Sequence, residues 1–308
     1  MLNILSSIND AVKSDPVSFI AECEENYKSQ VAAAAKRIAD NDDIKIVAIA
    51  GPSGSGKTTT AHILMRELGL LGEKTAVVSL DDFYLPFEKM PVGADGQKDI
   101  ESVAALDLPR IERAFSDIVN TGGALLPKFD FLTKTRIENA SRIDIGQRGI
   151  AIVEGLHAMN PLLTDGVARK NILKIYISVN MPVEDENGVP ILKSRHLRLV
   201  RRILRDEKFR GARARETLCL WDNVIKGEEK YLYRFKDTAD IWLTTLHAFE
   251  PCVYKEPFLR MRDGVDESTP SYSYFIKAAN ALELFCGIES KLVPEDSLIR
   301  EFIGPEDK

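Results

Sequence analysis

The chain has 308 residues, 44% of them hydrophobic and 29% charged, with a formal net charge of −6. That length suits one large α/β domain with additions, or two small domains, and the composition is that of an ordinary globular protein. The acidic balance argues against a general nucleic-acid binder, and no apolar run approaches the ~20 residues that span a bilayer.

The N-terminal Met-Leu-Asn-Ile-Leu-Ser-Ser is too short and uncharged to serve as a secretory leader. Residues 1–43 then read as helical. Asp15-Pro16 supplies an N-cap followed by proline at the first helical position, and Val17, Ile20, Tyr27, Val31 and Ile38 recur at roughly helical spacing. Asn41-Asp-Asp43 ends the helix. Five β-rich runs follow, at Ile44–Ala50, Thr75–Leu80, Gly149–Glu154, Ile172–Val179 and Asp240–Thr245. Most are near-continuously apolar, as strands covered on both faces are. Helical segments separate them at Thr58–Leu71, Leu108–Asn120 and a long pair through Lys193–Lys226, an alternation that predicts a parallel sheet with right-handed crossovers. The irregular stretches 84–107 and 127–148 follow strand ends, where open α/β sheets bind ligands. Residues 256–308 predict a polar loop, a helix near Tyr272–Cys286 and a short one after Pro294-Glu-Asp-Ser297. Cys23, Cys219, Cys252 and Cys286 form no C-x-x-C pair, so free thiols in a reducing cytoplasm are expected.

Between the first run and the first helix lies Gly51-Pro-Ser-Gly-Ser-Gly-Lys57-Thr58, which matches the P-loop pattern G-x-x-x-x-G-K-[ST] at every fixed position. Glycines let consecutive backbone N–H groups turn inward around phosphate oxygens, and the helix that follows points its positive end at the same anion. Lys57 would reach the β- and γ-phosphates, and the Thr58 hydroxyl would ligate Mg²⁺. The second run ends in Asp81-Asp82, at the sheet edge where the γ-phosphate should lie. Adjacent residues leaving a strand point to opposite sides, so one carboxylate is expected to face it, as a base or on the water shell of Mg²⁺. Glu154, ending the third run before Gly155, is a Walker-B-like acid. Lys193 to Arg215 holds ten lysines or arginines against two acids. Arg198, Arg201 or Arg202, and Arg205 line one helical face, beside an apolar stripe of Leu197, Val200 and Leu204. Such a helix suits a mobile lid over a triphosphate. Phe129-Asp-Phe131-Leu-Thr-Lys134-Thr-Arg136 offers aromatics to stack on a base or sugar and polar groups for hydroxyls; a strand edge is the alternative. The four histidines, His62, His157, His196 and His247, have no ligand spacing.

Taken together these motifs resemble the uridine kinase–phosphoribulokinase family of P-loop kinases over roughly residues 44–255. The resemblance rests on the P-loop, Ser79-Leu-Asp81-Asp-Phe-Tyr84, the 129–136 segment, Val153-Glu154-Gly155 and Arg201-Arg-Ile-Leu-Arg-Asp206 with Arg210-Gly211. It implies an α/β P-loop NTPase fold, a five-stranded parallel sheet flanked by helices, with a helical arginine-rich lid at about 193–226. The expected organisation is an N-terminal helical extension at 1–43, a kinase domain at 44–255, and a C-terminal helical segment at 256–308 packed on it. The implied activity is ATP- and Mg²⁺-dependent phosphorylation of a hydroxyl on a nucleoside or sugar-like molecule in the cytoplasm, with no nucleic acid or membrane partner and self-association left open. Asp81, Lys57, Arg205 and Arg210 are the expected catalytic set. Gly51, Ser53, Gly54, Ser55, Gly56, Lys57, Thr58, Thr59 and Arg201 would bind the nucleotide, and Thr58, Asp81 and Glu154 the metal. Tyr84, Phe129, Phe131, Lys134 and Arg136 would meet the acceptor. Two departures bear on that acceptor: Ala104 aligns with the aspartate that holds ribose hydroxyls in uridine kinases, and Phe129 and Lys134 replace a tyrosine and a histidine near the base. An acceptor other than uridine, with Lys134 on its carboxylate or phosphate, is therefore expected. The rival reading is a nucleotide-dependent ATPase or switch acting on a protein partner; the chain lacks the guanine-reading N-K-x-D.

Overall fold

The computed structural model describes residues 3–93, 96–131, 133–180 and 182–305. Two helices come first, α1 (Leu5–Ser14) and α2 (Pro16–Ala39); the Asp15 carboxylate accepts from the N–H groups of Val17 and Ser18, with Pro16 opening α2 as expected. The elements then run β1 (Ile46–Ala50), α3 (Lys57–Leu70), β2 (Thr75–Ser79), α4 (Leu108–Thr121), β3 (Gly123–Asp130), β4 (Thr135–Asp144), β5 (Ile150–Glu154) and α5 (Pro161–Thr164). After these come β6 (Ile172–Ser178), β7 (Val183–Glu184), β8 (Pro190–Leu192), α6 (Ser194–Arg210), α7 (Ala214–Tyr231), β9 (Ile241–Thr244), α8 (Glu250–Leu259), α9 (Tyr272–Glu283) and α10 (Arg300–Ile303).

Each of the five apolar runs becomes a strand of one sheet, in the order β2-β5-β1-β6-β9, every neighbour parallel. The alternation of β1 explains why both faces are covered. Val47 and Ile49 join a core with α2, α3 and α6, while Ile46, Ala48 and Ala50 join a second with α4 and β3. The order also makes β2, β5 and β1 neighbours. Glu154 lies level with Ser79 on one side and Ile49 on the other, so the chain leaves these three strands at one height on the sheet's C-terminal edge.

The structure adds to the sequence reading in several places. The 127–148 stretch is largely an antiparallel hairpin, β3–β4. The helices of residues 3–43 pack into the molecule, with Ile8, Tyr27, Val31 and Ile38 buried in the same core as the sheet. The basic helix α6 is packed into the molecule. Leu197, Leu199, Val200, Ile203 and Leu204 are buried, and it packs on α7, α8, α9 and α10. Finally, α8 occupies a segment read only as chain beyond the last strand. All four cysteines are free thiols, and no helix among the described residues is long and apolar enough to cross a membrane.

Candidate active site

The loop between β1 and α3 is held from behind. Arg201 is fully buried, pairs with the Glu250 carboxylate at 2.6 Å and donates to the Gly54 carbonyl at 3.1 Å. The Thr245 hydroxyl donates to the Ser55 carbonyl at 2.7 Å. These bonds tie the loop's carbonyls to the protein and so hold its backbone in place. Gly54 and Gly56 adopt φ of +72° and +80°, and a side chain at Gly56 would collide with Leu298. Ser53 is bracketed by the other arginines: its carbonyl accepts from Arg198, its hydroxyl from Arg202, and its N–H donates to Glu228. Arg198 and Glu228 are a buried ion pair at 2.6 Å. The Ser55 hydroxyl is buried without a partner among the described residues, and Thr58 is exposed on the first turn of α3. Lys57 donates from Nζ to the Pro52 carbonyl at 3.1 Å.

The expected split of the two aspartates is visible in their partners. Asp82 turns away, taken by Lys128 Nζ at 3.0 Å and approached by the Phe129 N–H. Asp81 lies in the field of Lys57, Arg210 and Arg205. Its surroundings are crowded with protein, which pushes its carboxyl above the ordinary aspartate range while Lys57 and the arginines oppose the rise. Since Asp81 is itself exposed into the cleft, water screens part of that effect. Glu154 is buried, accepts from the Ser79 hydroxyl at 2.6 Å, and is pushed up to about 7 by burial and then by the Asp81 charge. Arg205 is anchored on Asp206 at 2.8 Å, and the more exposed Arg210 lies 3.5 Å from the same carboxylate.

Across the cleft, Tyr84, Phe129 and Phe131 form an aromatic cluster with ring centres 5.0 to 6.1 Å apart. Phe131 is exposed and Phe129 buried beneath it. Lys134 sits in the hairpin turn at φ +56°, uncommon for a residue with a side chain, and its Nζ lies 4.5 Å from the centre of the Phe87 ring. Arg136 is bonded to Asp107 at 2.9 Å and to Glu138.

A family model described as phosphoribulokinase / uridine kinase matches residues 46–249. The chain belongs to the phosphoribulokinase / uridine kinase family. It is a small-molecule kinase, a phosphotransferase that acts on a hydroxyl group. The uridine kinase of Staphylococcus aureus (strain JH9) is 26% identical over 198 residues, 64% of this chain and 85% of that protein. The uridine kinase of Deinococcus deserti is 28% identical over 167 residues, 54% and 70% of the two chains. Among solved structures, a candidate fructose transport system kinase from Silicibacter sp. TM1040 superposes with a TM-score of 0.48 at 19% identity, over 69% of this chain and 98% of the other.

Set out on this kinase, the expected residues divide. The P-loop, Asp81, Glu154, Arg205 and Arg210 converge on one cleft. Arg201 does not: it is sealed behind the loop with its donors engaged, so it shapes the loop instead of touching a nucleotide. A signal for this stood in the sequence, because Arg201 is four residues from Leu197 and three from Leu204, on the apolar stripe. Arg136 is likewise spent on Asp107 and Glu138, bracing the hairpin. Thr59, expected at the nucleotide, donates its hydroxyl to Glu301 near the C-terminus. One acid was overlooked. Glu101 is half-buried beside Arg202, Glu228, Asp81 and Lys57, and burial pushes it up to about 7. It lies three residues before Ala104. His157 rests its Nε2 3.0 Å from the Glu101 carbonyl, against the Tyr231 ring. Burial holds its imidazole down at about 4, hence neutral.

Proposed function

We propose that the protein transfers the γ-phosphoryl group of ATP to a hydroxyl of a nucleoside or sugar-like acceptor that carries an anionic group. The observation that carries this reading is the position of Asp81, a carboxylate of raised proton affinity set opposite Lys57, Arg205 and Arg210. The acceptor hydroxyl gives its proton to Asp81 as its oxygen bonds to the γ-phosphorus, and ADP leaves with the bond's electrons. Lys57 and the two arginines neutralise the oxygens whose charge shifts during transfer. Thr58, Asp81 and Glu154 offer only oxygen donors, and the Asp81 charge raises Glu154; a hard cation fits such a set. Mg²⁺ held there would supply charge neutralisation and orientation of the phosphates. No cage of three or more His, Cys, Asp or Glu exists among the described residues, in keeping with an ion that arrives on its phosphates.

On the acceptor side, Tyr84 and exposed Phe131 supply a stacking surface, Glu101 a carboxylate for hydroxyls, and Lys134 a cation at the cleft's outer wall. Glu101 would offset the carboxylate lost at Ala104, but not the tyrosine and histidine replaced at Phe129 and Lys134. The relatives are uridine kinases by name; the cation at Lys134 is the reason to expect an acceptor with a negative group. Assaying ATP consumption against nucleosides, sugars and sugar acids tests it. Acceptor-dependent turnover that is greatest on an anionic acceptor and falls in Lys134→Ala supports the reading. Uridine as best substrate, with Lys134→Ala indistinguishable from the parent, would overturn the anionic acceptor. ATP hydrolysis indifferent to every acceptor would overturn the kinase mechanism itself.

A further inference from the structure

A second cavity, of about 720 Å³, lies away from the catalytic cleft between β8, the start of α6 and one face of α9. Lys193, Arg195 and His196 line it from the α6 side, and Lys277 with Tyr274 from α9; no acid lines it among the described residues. Arg195 is engaged with Glu229 at 3.1 Å. Lys193 and Lys277 form no ion pair among the described residues, in a chain whose overall charge is −6. The seventeen-residue helix α6 begins here with no side-chain cap and no acid in its first turn, so the positive end of its dipole is uncompensated as well. His196 Nδ1 is buried without a hydrogen-bond partner among the described residues, its ring 6.1 Å from that of Tyr274. Burial and the charges of Lys193, Lys277 and Arg195 hold this imidazole at about 4. A positive cluster thus faces the cavity, and of its cations Arg195 alone is paired with an acid among the described residues.

We propose that this cavity is a binding site for a small phosphorylated organic molecule, separate from the kinase cleft. Its phosphate would lie against Lys193, Lys277 and the free N–H groups of α6, a combination suited to a compact dianion. Its carbon body would lie on Ile191, Ala281 and Leu284, which form the apolar part of the wall. The volume is within the range of ordinary small-molecule sites, roughly 300–1,000 Å³. The two sites share α6: Arg195 and Arg205 are ten residues, ~15 Å, apart along it. The proposal does not rest on the kinase reading, since occupancy can be measured without turnover.

The test is calorimetric titration of phenyl phosphate into the full chain, with the P-loop first saturated by a non-hydrolysable ATP analogue and Mg²⁺. One further equivalent is expected to bind, more tightly than inorganic phosphate, and at least tenfold more weakly in Lys193→Glu/Lys277→Glu. Both lysines are on the surface, and unchanged affinity for the ATP analogue reports that the variant is folded. Should the double variant fail to fold, Lys277→Ala alone is expected to weaken phenyl phosphate at least threefold. No binding to the parent protein, or equal binding to parent and variant, overturns the site.

Discussion

Asp81 and Asp82 share a charge and a turn but not an environment, and their consequences should differ accordingly. Asp82 faces Lys128 on a half-exposed surface, where an ion pair contributes roughly 0–1 kcal/mol. Asp82→Ala should therefore leave turnover within a few-fold of the parent. Asp81→Asn keeps the shape and removes the proton acceptor, so transfer should fall about 10²–10⁴-fold while the ATP analogue still binds; loss of nucleotide binding instead would make Asp81 structural. The cleft acids also set a pH dependence. Glu154 and Glu101 are pushed up to about 7 from an ordinary 4.5. Between those values the folded state keeps protons that the unfolded chain has released, so these two groups make stability fall as pH rises from about 4.5 to about 7, with no further change above it. Urea midpoints across that window should show the decline in the ligand-free protein, and Glu154→Gln/Glu101→Gln should flatten it. A double variant with the parent's slope would show that neither acid is perturbed.

At the scale of elements, the P-loop is shaped by a buried pair from two helices, Arg201 of α6 and Glu250 of α8. Removing one partner leaves the other charge buried and unpaired, which costs about 3–5 kcal/mol. Glu250→Gln should lower the denaturation midpoint accordingly and weaken nucleotide binding, because the Gly54 carbonyl loses a well-placed donor. Normal nucleotide affinity in a destabilised variant would separate the pair from loop geometry. The same scale shows what was legible in the sequence. The five sheet strands were: burial on both faces writes near-continuous apolar runs in β1, β5 and β6, and β2 and β9, less buried, keep enough apolar residues to be read with them. The hairpin was not: β4, Thr-Arg-Ile-Glu-Asn-Ala-Ser-Arg-Ile-Asp, is exposed along most of its length and lacks the alternation of a half-buried strand. Pro251 and Pro257 similarly disguised α8, the first tolerated at its opening turn and the second inside it. The donor side of the site was legible because the P-loop is local in sequence. Glu101 was not, because its charge neighbours come from distant segments.

Over the whole molecule, both ends of the chain close on the P-loop helix. Tyr27 of α2 meets the Thr60 hydroxyl of α3 at 2.7 Å, Glu24 accepts from Ser297, Leu298 lies against Gly56, and Glu301 accepts from Thr59. The N-terminal helices and the C-terminal segment thus pack on the helix that follows the P-loop. Leu298→Ala should cost about 2–5 kcal/mol, the range for a fully buried leucine, and loosen the phosphate site with it; a destabilisation below 1 kcal/mol in urea titration would mean that the C-terminal segment does not brace α3. The central claim is that all of this serves phosphoryl transfer to a small hydroxyl acceptor through Asp81. Its most direct test is to count products, with ADP and phosphorylated acceptor measured together by ³¹P NMR for the parent and Asp81→Asn. The account predicts one phosphate ester per ADP in the parent and neither product above background in the variant. ADP formed with free inorganic phosphate and no ester, or an ester formed equally well without the Asp81 carboxylate, would contradict it.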